Sequence, residues 1–153
     1  MRYLFDTNAV LMYLKDREIT HVINTELNPL YSENLPFISV VTLGEIEAII
    51  TRNKWGKQKI DRINSFINNF VVADINAENV IKMFGEIDAF SQGKHPTISL
   101  NDSARNMGKN DLWIAATASV TDSTLITSDR DFLHLKGTFL NLAFIDIQTK
   151  SLS

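Results

Sequence analysis

Cysteine is absent from this chain of 153 residues. Disulfide bonds, zinc sites with cysteine ligands, iron–sulfur clusters and catalytic thiols are therefore excluded. Proline and glycine are also scarce, at 3 and 6 residues, while 44% of the chain is hydrophobic and 22% is charged. This balance is typical of a compact globule and not of a disordered chain or a coiled coil. We expect a single domain that spans residues 1–150.

An excess of positive charge is likewise missing. Lys and Arg total 15 against 18 Asp and Glu, a formal charge of −3, so a basic protein that coats nucleic acid is not expected. No uncharged apolar run approaches the ~20 residues of a membrane span. The apolar opening segment, Met1–Leu14, is interrupted by Asp6 and Asn8, and no small-residue cleavage site follows it. We expect a cytoplasmic protein without a membrane segment.

Short apolar runs alternate with helical patterns along the chain. The predicted strands are Tyr3–Phe5, Pro36–Val40, Phe70–Ala73, Thr124–Thr127 and Ala143–Ile147. The predicted helices are one that begins at Thr7, then Thr42–Asn53, Lys57–Asn69, Asn76–Phe90 and Asn110–Val120. This alternation predicts an α/β fold with a mainly parallel sheet covered by helices on both faces. The long irregular stretch Ser91–Lys109 indicates either a lid or a helix that periodicity does not reveal.

Two acidic residues of the first half fall where helices begin. Asp6 directly follows the first strand, at the carboxyl edge where open parallel sheets bind ligands. Capping of the next helix would also explain Asp6. Glu45 shares a helix face with the apolar Val41 and Ala48, where a charge is costly unless it is paired or binds a metal. A buried ion pair would explain Glu45 as well.

Three acidic residues of the second half follow the same pattern. Asp111 heads the inward stripe of a helix, and capping by Asn110 or Asp111 would explain only one of these two residues. Asp129 and Asp131 follow the strand Thr124–Thr127, where a turn would also favour Asp. If the sheet forms as predicted, all these acids can converge. Clustered carboxylates repel one another, and oxygen-only ligands favour Mg²⁺ or Mn²⁺ as the compensating cation.

Four segments, in this order, resemble the PIN domain family, and particularly the VapC-type toxins of bacterial and archaeal toxin–antitoxin pairs. The segments are Leu4–Asn8, Ser39–Glu45, Asn110–Ala118 and Leu125–Phe132. An Asp-Thr-Asn triplet alone would be a weak signal, whereas the ordered set of four covers almost the whole chain.

This resemblance implies a metal-dependent ribonuclease with a three-layer α/β/α sandwich, usually a homodimer and partnered by an antitoxin. Its metal-binding and catalytic acids correspond to Asp6, Glu45, Asp111 and Asp129, with Asp131 as a further metal contact. Polar support would come from Thr7, Asn8, Asn110 and Thr127. The expected reaction is hydrolysis of an RNA phosphodiester by in-line attack of water, which leaves a 5′-phosphate and a 3′-hydroxyl.

An acidic pocket must still admit a polyanion, so nearby cations are candidate RNA contacts. They are Arg130, Lys109, Arg105 and Lys94, followed by the strip Lys54, Lys57, Lys59 and Arg62. A solvated helix face would equally explain the strip. Trp113 is expected in the core or in a dimer contact, and the three histidines are expected to play no catalytic part.

Three alternatives remain at this stage. A phospho-accepting receiver domain would normally show an acidic doublet after its first strand, whereas Asp6 stands alone. A non-catalytic PIN-like module that binds RNA or protein would be expected to have lost some of the acids. A metal phosphohydrolase with another substrate would retain them.

Overall fold

The computed structural model describes residues 1–153, and their strands form one six-stranded sheet. The strands are β1 (Arg2–Phe5), β2 (Leu35–Ser39), β3 (Val71–Ala73), β4 (Thr124–Thr127), β5 (Asn141–Asp146) and β6 (Ser151–Leu152). Their order across the sheet is β3-β2-β1-β4-β5-β6. All neighbouring pairs are parallel except β5 with β6, which is antiparallel.

Helices cover both faces of this sheet, as the alternation in the sequence predicted. They are α1 (Thr7–Lys15), α2 (Arg17–Glu26), α3 (Val40–Asn53), α4 (Lys57–Ile67), α5 (Glu78–Ser91) and α6 (Lys109–Val120), with a 3-10 helix at Arg130–Leu135. None of them combines the length and the apolar character that crossing a membrane would require. The three-layer α/β/α arrangement expected from the sequence is confirmed.

The two-residue period of the strands divides the core into two parts. Leu4, Leu125 and Phe144 point to one face, where α5 and α6 pack against them. The intervening residues Phe5 and Ile126 point to the opposite face, where they join the apolar side chains of α1 to α4. Because both faces are covered, the central strands read as continuous apolar runs instead of alternating ones.

Several boundaries differ from the sequence-based expectation, and α2 and β6 were not expected from the sequence. Val40 belongs to α3 and not to the second strand. The Ser39 hydroxyl accepts a hydrogen bond from the Val41 N–H at 3.1 Å, and this cap starts the helix at Val40, two residues before the expected Thr42. The α5 helix extends to Ser91. The segment 92–108 that follows contains no helix, so of the two alternatives for this stretch the hidden helix is wrong and the lid stays a hypothesis. Its Gly93 has φ of 71°, which ends helical geometry at the start of the segment.

The order of the strands reverses its direction once, between β1 and β4, and this place is called the switch point of the sheet. From β1 the chain moves to β2 and β3 on one side, and it then crosses back to place β4 on the other side of β1. The carboxyl ends of β1 and β4 therefore lie side by side with their following segments leading away from each other. The Asp6 N–H still donates to the Ile126 carbonyl at 3.3 Å, which fixes the two strand ends together. Open parallel sheets bind their ligands in such a crevice.

The aromatic side chains under β1 generate a stability prediction. The Phe66 ring lies 4.9 Å from that of Tyr13 and 5.0 Å from that of Phe70, between centroids, and it is almost fully buried. We expect Phe66→Ala to lower the free energy of unfolding by about 3 kcal/mol, because it removes these contacts and leaves a cavity. Urea unfolding measures this change. The control is Val72→Ala at the exposed sheet edge, and equal losses for both variants would contradict the packing described.

Candidate metal centre

Three carboxylates meet beside the switch point. Asp111, Asp129 and Asp131 each offer an oxygen, and these three atoms all lie within 4.8 Å of one another. Asp111 comes from the first turn of α6, whereas Asp129 and Asp131 come from the segment that follows β4. Of the five acids named from sequence, the structure brings these three together, whereas Asp6 and Glu45 lie outside the group. The role of all five as metal ligands stays a prediction.

Asp6, which directly follows β1, is almost completely buried, at 4% exposure. One of its carboxylate oxygens accepts from the Ala9 N–H at 2.7 Å, so Asp6 does cap α1. The other oxygen accepts a hydrogen bond from the Thr127 hydroxyl. The pKa of Asp6 is raised from 3.8 to about 7. Burial raises it most, the two hydrogen bonds lower it, and the negative charges of Asp129 and Asp111 raise it.

Glu45 completes the acidic surroundings from α3. Its carboxylate accepts a hydrogen bond from the Thr7 hydroxyl at 2.7 Å, and no cationic side chain pairs with it. The alternative explanation of Glu45 as a buried ion pair is therefore wrong. The pKa of Asp111 is raised to about 6, first by burial and then by the charges of Asp129, Glu45 and Asp131. The charge of Glu45 therefore acts on the cluster.

Capping does not account for Asp111. The α6 helix begins at Lys109 after Gly108, and no side chain caps its first turn, so the expectation that Asn110 or Asp111 would do so is wrong. A Cβ atom added at Gly108 would lie 3.5 Å from a carboxylate oxygen of Asp111, so this glycine keeps the space beside that carboxylate free.

The residues expected to support the acids divide into two groups. Thr127 and Thr7 are engaged with the site, since Thr127 also accepts the Asp129 N–H at 2.9 Å. Asn8 and Asn110 are exposed and their side chains make no hydrogen bond within the chain. The turn that was an alternative explanation for Asp129 is also present, because this residue caps the 3-10 helix by accepting the Asp131 N–H at 2.9 Å.

Two of the cations expected to contact RNA lie beside the acidic cluster in the chain, and two others form ion pairs. Lys109 and Arg130 are exposed at the two segments that carry the acidic cluster. Arg105 instead forms an ion pair with Asp102 at 2.7 Å, and Lys57 forms one with Asp61 at 2.6 Å on α4. Trp113 packs against Phe84 of α5, with 4.3 Å between ring centroids, in agreement with the expected core position.

Comparison with known proteins gives the family of this fold and site. The fold and site define an open, mainly parallel α/β sheet with an acidic cluster beside the carboxyl ends of its central strands, where such sheets bind ligands. The model of the PIN domain matches residues 3–137. The chain belongs to the PIN domain family, which confirms the resemblance carried by its four segments.

Individual relatives agree with this assignment. The chain is 25% identical to Ribonuclease VapC2 of Rickettsia felis over 141 residues, which cover 92% of this chain and 96% of that protein. The structure of VapBC2 from Rickettsia felis, bound to a DNA fragment from its promoter, has a TM-score of 0.72 at 22% identity and covers 95% of this chain and 100% of that one. VapBC-1 from nontypeable Haemophilus influenzae has a TM-score of 0.69 at 23% identity, with coverage of 94% and 98%.

The raised pKa of Asp6 predicts how stability depends on pH in metal-free protein. The unfolded chain releases this proton near pH 3.8, whereas the folded chain holds it to about pH 7, so stability falls as the pH rises through this window. Asn keeps the helix cap without the charge. We expect Asp6→Asn in EDTA to be more stable than wild type at pH 8, by on the order of 2–4 kcal/mol, with the difference at least halved at pH 5.

Chemical denaturation at the two pH values measures this difference. The matched control is Asp122→Asn, an exposed residue at the opposite end of β4 whose φ of 50° Asn also tolerates. A less stable Asp6→Asn variant at pH 8 would show that ionised Asp6 is not the strained group described.

Proposed function

We propose that this chain is a divalent-metal-dependent endoribonuclease that hydrolyses RNA phosphodiester bonds and serves as the toxin of a toxin–antitoxin pair. The observation that carries the proposal is the meeting of Asp111, Asp129 and Asp131 at the switch point of a PIN fold. A relative named Ribonuclease VapC2, alignable over almost the full length of both chains, supports RNA as the substrate class.

The donor set fits a hard divalent cation. Asp111, Asp129 and Asp131 would hold it, since each presents an oxygen to the same small volume. Glu45 adds negative charge beside this volume, since its charge raises the pKa of Asp111. Asp6 is a further neighbour, since the charges of Asp129 and Asp111 raise its own pKa. Oxygen-only ligation favours Mg²⁺ or Mn²⁺ over softer metals. When bound, the cation supplies Lewis-acid activation of water and offsets charge on the attacked phosphate.

The remaining side chains organise the site around that chemistry. Thr127 holds Asp6 and the Asp129 backbone with one hydroxyl, so that the ends of β1 and β4 keep a fixed separation. Thr7 orients Glu45 from the start of α1. Lys109 precedes Asp111 by two residues and Arg130 stands between Asp129 and Asp131, and as exposed cations they would bind phosphates that flank the cleaved bond.

Partners of the protein follow from the same relatives. We propose that a cognate antitoxin protein binds this chain, because its structural relatives include VapBC complexes. We further propose that the chain forms a single domain, that it assembles as a homodimer, and that it acts in the cytoplasm, where RNA is available. Nothing in the acidic cluster reads a ribose 2′-hydroxyl, so the preference for RNA over DNA rests on the relatives alone.

Removal of one acid tests the nuclease proposal. We expect Asp111→Asn to lower Mg²⁺-dependent RNA cleavage by more than about a hundredfold while the fold is retained, because the cation loses a ligand that no helix cap requires. Asp6→Asn should have a comparable effect. Cleavage of a labelled RNA and circular dichroism of the same samples measure both properties. Full activity of either variant would remove that residue from the site, and Asp122→Asn should cleave like wild type.

Analysis of substrates and products separates this function from its alternatives. We expect RNA fragments with 5′-phosphate and 3′-hydroxyl ends, cleavage that EDTA stops and Mn²⁺ restores, and little turnover of single-stranded DNA or nucleotide monophosphates. Mass spectrometry of the products identifies the ends. Turnover of monophosphates alone would indicate a phosphohydrolase with a small substrate, and RNA binding without cleavage would indicate a non-catalytic module.

A further inference from the structure

A buried serine outside the acidic cluster joins two segments that carry it. Ser91 is the last residue of α5 and is fully buried. Its hydroxyl lies 2.7 Å from Nε2 of His134 and 3.3 Å from the sulfur of Met107. None of these three side chains has a part in the chemistry proposed above.

The two partners of Ser91 belong to different segments of the chain, and each segment carries part of the acidic cluster. His134 belongs to the 3-10 helix that begins directly after Asp129 and includes Asp131. Met107 stands immediately before Gly108, the residue from which α6 starts and brings in Asp111. One hydroxyl therefore contacts both the segment of Asp129 and Asp131 and the segment of Asp111.

This contact helps to fix the start of α6, because the connection between α5 and α6 has no regular structure. Residues 92–108 form neither helix nor strand, and a loop of that length does not by itself fix where the next helix begins. The backbone closes the loop at the same serine, since the Arg105 N–H donates to the Ser91 carbonyl at 2.8 Å. Both the main chain and the side chain of Ser91 thus anchor the end of the loop.

The surroundings of His134 keep its ring in one orientation. The ring stacks on Phe90, with 6.2 Å between centroids and 4° between planes. Burial first, and then the positive charge of Arg105, lower the pKa of His134, although Asp102 and Asp131 act in the opposite direction. The neutral ring offers Nε2 to Ser91 as a single, well-oriented partner.

We propose that Ser91 and His134 are positioning residues whose hydrogen bond sets the separation between Asp111 and the Asp129–Asp131 pair, and thereby the affinity of the centre for its divalent cation. The proposal rests on the proposed function in one respect, that these three acids hold the metal. Partners that orient metal ligands typically change affinity by tenfold or more when they are removed.

The test compares two buried serines. Ser91→Ala removes the contact, whereas Ser123→Ala removes a hydroxyl that is equally buried and bonded at 2.7 Å to Thr121, at the opposite end of β4. Mn²⁺ affinity is measured by isothermal titration calorimetry and thermal stability is measured in EDTA. We expect both variants to lose stability, but only Ser91→Ala to weaken Mn²⁺ binding, by about five- to tenfold.

A second pair of variants and a metal-free measurement keep the outcome interpretable. His134→Gln, which can still present a nitrogen near Nε2, should bind Mn²⁺ within about threefold of wild type, whereas His134→Leu should behave like Ser91→Ala. Amide hydrogen exchange in EDTA should become faster across residues 105–112 in Ser91→Ala and not in Ser123→Ala.

The possible results separate the two proposals. If the wild-type protein binds Mn²⁺ and Ser91→Ala binds it with the same affinity, the positioning role is overturned and the proposed function stays intact. Equal weakening in the Ser91 and Ser123 variants would also overturn it, because a general loss of stability would then explain the effect. A wild-type protein that binds no Mn²⁺ would overturn both proposals together.

Discussion

Mutual repulsion among carboxylates at one edge of the sheet is the constraint on which the rest of this structure depends. Five acids from four segments approach the ends of β1 and β4, and one of them, Asp6, is almost completely removed from water. Such an arrangement is unfavourable unless donors or a cation compensate the charge. The fold supplies some compensation through the Ala9 N–H and the hydroxyls of Thr127 and Thr7. The high pKa of Asp6 indicates that this compensation is incomplete.

The scaffold holds these charges together because its rigid parts reach the site from several directions. The strands β1 and β4 are central and buried, and their ends are fixed by the ladder between them. The helices α1 and α3 begin where their preceding strands end, so Asp6 and Glu45 are positioned by regular structure. The exception is α6, which a seventeen-residue irregular segment precedes. The position of Asp111 therefore depends on tertiary contacts: α6 packs its buried side chains into the core, and the Ser91 hydroxyl contacts Met107 at the end of the irregular segment.

The layered fold was predictable from sequence because it follows from periodic signals. The approach of Asp111 to Asp129 was also expected, whereas Asp6 and Glu45 lie outside the group of three acids that meet. Apolar runs mark the strands, and an acid after a strand end is visible without any coordinates. The path of residues 92–108 was not predictable, because its geometry depends on a serine, a methionine and an arginine that no local pattern connects. The contact between Ser91 and His134 joins residues 43 positions apart, and no local sequence pattern indicates that these two side chains meet.

The acids also differ in how strongly they argue for a metal. Asp6 and Asp129 each cap a helix, so local structure would retain a polar side chain at both positions even in a protein without a metal site. Glu45 has a hydroxyl partner, which lowers the cost of its partial burial. Asp111 caps nothing and has no hydrogen-bond partner within the chain, yet it is half-buried against three like charges. Local structure leaves this residue unexplained, and a shared cation is the interaction that would make its position favourable.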